Sequence, residues 1–172
     1  MMTLQDLQND FPDATDATWH QHPNGGGWVE NTAHVYASAF VGPDALVYGN
    51  TWVIGDARVI GDVRVFGHAL VCGNAWVSGH ASVFGDAWVS GHARVFGHAR
   101  VFGNARVCEN ARVYENARVF GDAWVFGNAW VFGNALVYGD ASVYGNAWVY
   151  ENAWVSEDAR VFEDARVFET TV

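Results

Sequence analysis

From Val29 to Val172 the chain repeats every six residues without an insertion or deletion. In register the unit reads Val, a mostly aromatic position, Gly or Glu, then Asn, Asp or His, then Ala, then a variable residue. Residues 119–136 show it three times, as VFGDAW, VFGNAW and VFGNAL. Residues 29–172 are 144 in all, or 24 hexads of six. Each hexad opens with Val, and the fifth position is Ala in 21 of them, the exceptions being Thr51, Val63 and Thr171. A unit this short cannot bury its own apolar face, so the period predicts a solenoid in which stacked neighbours hold each unit.

Along Ala, variable residue, Val and aromatic residue, successive side chains of an extended segment alternate in direction. Ala and Val therefore share one face, and the variable and aromatic positions share the other. The uniform pair is the interior: a core lined only by Val and Ala fits a narrow space where three short strands meet and a larger side chain would overpack. The third and fourth positions supply a corner, because Gly escapes the steric limits on φ and Asn or Asp tolerates the left-handed region. Three sides make an 18-residue triangular coil. The expected fold is all-β, a single-stranded parallel β-helix of about 8 coils (24 hexads, three per coil) over residues 29–172, roughly 38 Å long at about 4.8 Å per coil. Residues 1–28 form an N-terminal extension, with LQDLQNDF as a short helix and PNGGG as a turn, placed to cap the first coil or reach into a neighbouring subunit.

The Val and Ala columns resemble the hexapeptide-repeat family across residues 29–172. The resemblance implies a left-handed coil and, in many members, acyl transfer. That family commonly puts Gly or an acid directly after the aliphatic residue, whereas here Phe or Tyr stands there and Gly follows one later. The stretch GGGWVE at residues 25–30, with the GNxWV and GDARV units after it, resembles uncharacterised bacterial and phage repeat proteins of GNAxVxG pattern, which lend no function.

The outward positions carry what functional signal there is. The second position is Phe or Tyr in 15 hexads, and the sixth is Trp in 7 and Arg in 9. Residues 18 apart stack one above the next, so aromatic ladders shield one another along each face. Trp88, Arg106 and Trp124 are so spaced and place a cation between two indoles. Large exposed apolar patches usually mark interfaces, which makes Trp52, Trp76, Trp88, Trp124, Trp130, Trp148, Trp154, Phe168 and Val172 the candidate contact residues. The repeat reaches the last residue, Val172, so an uncovered coil edge there is an expected site of head-to-tail growth into a filament.

With 19 acids, 9 arginines and no lysine, the net charge of −10 argues against nucleic acid and anionic membrane as partners. Arg94, Arg100, Arg106, Arg112 and Arg118 fall in consecutive hexads and encircle the prism, while the last coils are acidic, an arrangement that favours staggered lateral packing. The N-terminus shows neither the basic nor the apolar region of a classical signal peptide. An extracellular fibre exported by another route stays open.

His68, His80, His92 and His98 occupy corner positions held elsewhere by Asn or Asp. An acyltransferase of this class would use such a His to activate an acceptor hydroxyl; corner variants are the plainer reading. Asp62, His80 and His98 line one corner, and Asp122, Asp140 and Asp158 another. In-line stacking does not converge ligands on a metal, so no metal and no cofactor is expected. Cys72 and Cys108 replace aromatics two coils apart, too far for a disulfide. The leading expectation is a non-enzymatic structural protein that self-assembles into a filament. The alternatives are a binding module whose Trp faces take carbohydrate or a protein, and an acyltransferase.

Overall fold

The computed structural model describes residues 1–169, and they form an all-β parallel β-solenoid of eight coils with three sheets around a triangular section. The first sheet begins with β1 (Trp19–Gln21) and β2 (Trp28–Glu30) and continues through the strands at Leu46, Arg64, Ser82, Arg100, Arg118, Leu136 and Trp154. The second runs from His34 to Arg160, the third from Phe40 to Arg166, each stepping by 18 residues. We call them the first, second and third faces in chain order. Every pairing between coils is parallel and in register, so Val77 sits over Val59 and Val95 over Val77.

The core is a column of Val and Ala. From Ala39 to Val155 these inward side chains are almost all fully buried, and Val63 and Thr51 occupy Ala positions without opening it. The Thr51 hydroxyl donates to Tyr48 O at 2.6 Å, which satisfies the one polar group admitted to the column. Backbone donors reach up one coil with a fixed offset: Phe84 N to Val101 O, Trp88 N to Ala105 O and Asn104 N to Gly121 O, at 2.8–3.0 Å.

Corners follow the left-handed backbone that the third position was expected to need. Gly97 has φ +71, and a Cβ there would lie 2.9 Å from Glu115 N. Six glutamates nonetheless take the same conformation, with φ between 48 and 61: Glu109, Glu115, Glu151, Glu157, Glu163 and Glu169. Such a residue costs about 1–3 kcal/mol when nothing compensates it. At two of them the compensation is visible, since Gly127 N donates to Glu109 Oε2 at 2.9 Å and Gly133 N to Glu115 Oε2 at 2.8 Å. The carboxylate thus accepts a corner N–H one coil further on. The fourth position builds amide ladders: Asn110 donates to Asn128, Asn128 to Asn146 and Asn146 to Asp164, each at 3.1–3.2 Å.

Residues 1–27 lie against the first face and the first coil. The helix α1 (Leu4–Asp10) is capped reciprocally by Thr3 and Asp6. It buries Leu7 with Ala14, Trp19, Trp28 and Leu46, and Trp28 Nε1 donates to Met2 O at 3.0 Å. Strand β1 (Trp19–Gln21) pairs antiparallel with β2. On the third side Val41 N donates to Asn24 O, and Gly27 N to Val41 O, both at 3.0 Å. The approach is so close that a Cβ on Gly25 would stand 2.2 Å from Val41 O. Two of the three edges of the first coil are therefore occupied by this chain's own backbone.

Gly97→Ala is expected to lower the midpoint of urea unfolding by an amount corresponding to about 1–3 kcal/mol. Glu109→Ala, which keeps the left-handed Cβ and loses the carboxylate that accepts from Gly127 N, is expected to lower the midpoint below that of the wild type; equal midpoints for the two would show that the carboxylate contributes nothing.

Candidate functional site

The outward columns are the candidate site, and the hexad builds them by placing one side chain before and one after each inward Val. On the first face Tyr48, Phe66, Phe84, Phe102, Phe120 and Tyr138 stack with centroids 4.8–5.0 Å apart and planes within 4°. The third face holds Phe96, Tyr114, Phe132, Tyr150 and Phe168 in a similar stack. The second face is interrupted: Phe126, Tyr144 and Phe162 stack, but Cys72, Ser90 and Cys108 fill three successive coils below them.

Guanidiniums alternate with indoles. Arg58 lies 5.6 Å from the Phe40 ring and 5.7 Å from Trp76, and Arg94 caps Trp76 from above at 5.6 Å. Higher on the third face Trp130 stacks on Trp148, with Arg112 and Arg166 closing the pair at 4.7 and 4.8 Å. The Trp88, Arg106, Trp124 sandwich is present on the second face at 5.6 and 5.9 Å. Among the described residues Arg64 pairs with Asp10 at 2.6 Å, whereas Arg100, Arg118 and Arg160 touch neither an acid nor a ring.

The candidate contact residues separate by exposure. Trp52, Trp76, Trp88, Trp124 and Trp154 are 37–48% exposed, as is Phe168 at 48%. Trp130 and Trp148, shielded by their arginines, are half-buried, and Val172 lies outside the described residues. Three of the exposed indoles, Trp52, Trp88 and Trp124, stand on the second face at alternate coils.

The sequence reading assigned the cysteines no partner, yet Trp88 Nε1 donates to Cys72 Sγ at 3.3 Å and Trp124 Nε1 to Cys108 Sγ at 3.2 Å. A 16-residue spacing from Cys to Trp was the available signal. Burial, aided by the Glu109 charge, pushes the Cys108 thiol up, and the indole N–H works against it. Beside them Trp88, Ser90, Arg106, Cys108 and Trp124 line a shallow, mostly apolar hollow of about 170 Å³.

The titratable corners stay apart. His80 Nδ1 lies 3.1 Å from Asp62 and its ring stacks on His98 at 4.9 Å, while His68 and His92 stand on the two other corners. Asn104 donates to Asp122 at 2.9 Å, and there the ladder ends, because a carboxylate has no proton to pass on to Asp140. Among the described residues no group of three or more His, Cys, Asp or Glu is arranged to hold a metal ion, and no helix is long and apolar enough to cross a membrane.

A family model described as the YdcK beta solenoid repeat matches residues 93–109 and 111–127. These stretches run through the arginine-rich middle coils, and together with the parallel coils they support a repeat β-helix family. No curated protein matches the chain.

Arg106→Ala removes two indole contacts and is expected to destabilise by about 1–2 kcal/mol, whereas Arg118→Ala is expected to be near neutral in the same urea titration. Burial raises the Tyr48 and Tyr114 hydroxyls above their ordinary value, and Glu115 adds to the shift at Tyr114. Their protonated forms are thus favoured by folding. The stability they contribute is complete below the unfolded value of about 10 and is lost as pH rises through the higher folded value. The urea midpoint is expected to decline above about pH 10, and less steeply in Tyr114→Phe.

Proposed function

We propose that this chain is a non-enzymatic structural protein that associates with copies of itself, using the aromatic faces of a rigid solenoid as contact surfaces. The observation that carries the reading is the set of exposed indoles at Trp52, Trp76, Trp88, Trp124 and Trp154, the first four of which lie against a neighbouring ring or guanidinium. An ordered apolar surface of this kind loses little side-chain freedom on contact, so burying it costs less than burying the same area of loose side chains. The Val and Ala columns support the finer assignment to the hexapeptide-repeat class, and the corner histidines are read as structural variants of Asn.

A filament built only by end-on stacking fits poorly at the first coil, where β1 and the turn at residues 24–27 already occupy two edges. Contacts between copies therefore run through the sides, and filament growth is lateral or staggered. One observation favours a second reading, a carbohydrate-binding module: the hollow at Trp88, Ser90, Arg106, Cys108 and Trp124 offers indole faces beside a hydroxyl and a guanidinium.

Sedimentation velocity over a hundredfold range of micromolar concentration, with electron microscopy of the same samples, tests the reading. Species larger than the 18.8 kDa chain are expected to grow with concentration. Moderate salt is expected to promote them by screening the net charge of −10. A single monomeric species throughout, with binding of a sugar at the Trp88 hollow, would replace it with the second reading.

A further inference from the structure

One turn of the N-terminal extension covers the third side of the first coil. Asn24 O accepts from Val41 N and Gly27 N donates to Val41 O, both at 3.0 Å. The Asn24 side chain adds two more bonds, with Nδ2 donating to Ala39 O at 3.0 Å and to Ser38 O at 3.3 Å. The buried His22 ring lies against the backbone of Asn24, its Nδ1 3.3 Å from Asn24 N and 3.2 Å from Asn24 O. Position 24 thus calls for a short side chain with an amide donor that reaches two carbonyls at once. Position 25 calls for a residue without Cβ, because φ is +119 and a Cβ would stand 2.2 Å from Val41 O.

Together the two demands write Asn followed by Gly. In that pair the backbone N of the second residue most easily reaches the side-chain carbonyl of the first, since glycine has no side chain to hinder the approach. Every other Asn in the chain precedes Ala, Thr or Asp. At several corners the N–H that would attack is engaged as well, as in Ala111 N to Cys108 O at 3.2 Å and Ala117 N to Tyr114 O at 3.3 Å. Among the described residues Gly25 N donates to no acceptor. Asn24 is half-buried, so water reaches it.

We propose that Asn24 is a site of spontaneous deamidation, and that its conversion unlatches residues 24–27 from the first coil. Gly25 N bonds to Asn24 Cγ, and ammonia leaves with Nδ2 and the proton of the Gly25 N–H, which closes a five-membered succinimide. Water then opens the ring. Attack at the side-chain carbonyl gives aspartate, and attack at the main-chain carbonyl gives isoaspartate. Aspartate places a carboxylate where the amide donated to Ser38 O and Ala39 O, so two hydrogen bonds become contacts between oxygens in partly buried surroundings. Isoaspartate loses the same donor and lengthens the main chain by a methylene beside Val41 O, where there is no room even for a Cβ.

The bonds that hold the amide restrain the reaction until the turn opens, and the product then resists closing again. Conversion therefore fixes an opening that is otherwise transient. It uncovers the strand at Phe40–Val41 and leaves an edge of the kind that pairs with other strands. The first face stays covered by β1 and α1.

Ageing of the full chain at neutral and mildly alkaline pH tests the site, with a parallel sample unfolded in urea and every Asn followed by peptide mapping and mass spectrometry. Asn24 is expected to convert first in the folded chain, to aspartate and isoaspartate. An Asn24 amide that persists in the folded chain while the unfolded sample converts overturns the site. Unlatching is read by hydrogen exchange in Asn24→Asp and in the aged wild-type chain, which its added negative charge separates from the unaged. Exchange at the Val41 and Gly27 N–H groups is expected to quicken about tenfold or more, the scale of leaving partly buried groups without their partners. The amides of the middle coils are expected to keep the wild-type rate. The aged chain is converted while folded, so it carries this measurement even if Asn24→Asp does not fold. Unchanged exchange at Val41 and Gly27 in the aged chain overturns the latch.

Discussion

Coil-to-coil hydrogen bonding in unbroken 18-residue register is the constraint on which the rest of the structure depends. Once Val101 is fixed over Val83, every side chain inherits the neighbour that stands 18 positions away, above and below. The Val and Ala column is the tightest expression of this rule, because an inward side chain has nowhere to go but between its equivalents. The hydrophobic contribution of each coil is small and uniform, and its backbone pairing is shared with its two neighbours, so stability accrues coil by coil.

Stacking like on like suits rings and amides and penalises charges, and the outer columns follow that sorting. Phe and Tyr make offset stacks with parallel planes. Asn passes a hydrogen bond from coil to coil because it both donates and accepts, and the ladder stops where Asp replaces it, as at Asp122. Arginine is tolerated mostly where an indole or ring adjoins it. The neighbouring pairs Arg94–Arg112 and Arg100–Arg118 show the difference: the first is relieved by Trp76 and Trp130, and the second has no such relief.

Most of the fold was legible because the hexad states its own register. The inward assignment of Val and Ala, the corner at Gly and the Trp88, Arg106, Trp124 sandwich all follow from counting to six and to 18. Other features resisted because they depend on side-chain reach across coils. Glu109 looks like a defect at a glycine position until its carboxylate is seen under Gly127 N. Trp130 and Trp124 look equivalent in sequence, yet two arginines bracket the Trp130–Trp148 pair while Trp124 leans on Phe126 and Cys108 and remains open. The lie of residues 1–27 along the first face lay beyond the repeat altogether, since no period relates Leu7 to Leu46.

The amide relay from Asn110 onward donates always toward the higher-numbered coil, as the backbone donors do, whereas Gly127 N donates back down to the Glu109 carboxylate. The amide side chains thereby repeat the directionality of the backbone, and the solenoid acquires a reading frame of three hexads. Loss or gain of 18 residues preserves every column and every arrow. A change of six rotates each later column by one face, setting the rings and guanidiniums of one face over those of another while leaving the Val and Ala core and the corner positions intact. Evolution of such a chain can therefore alter its length freely in one quantum and its surface identity in another.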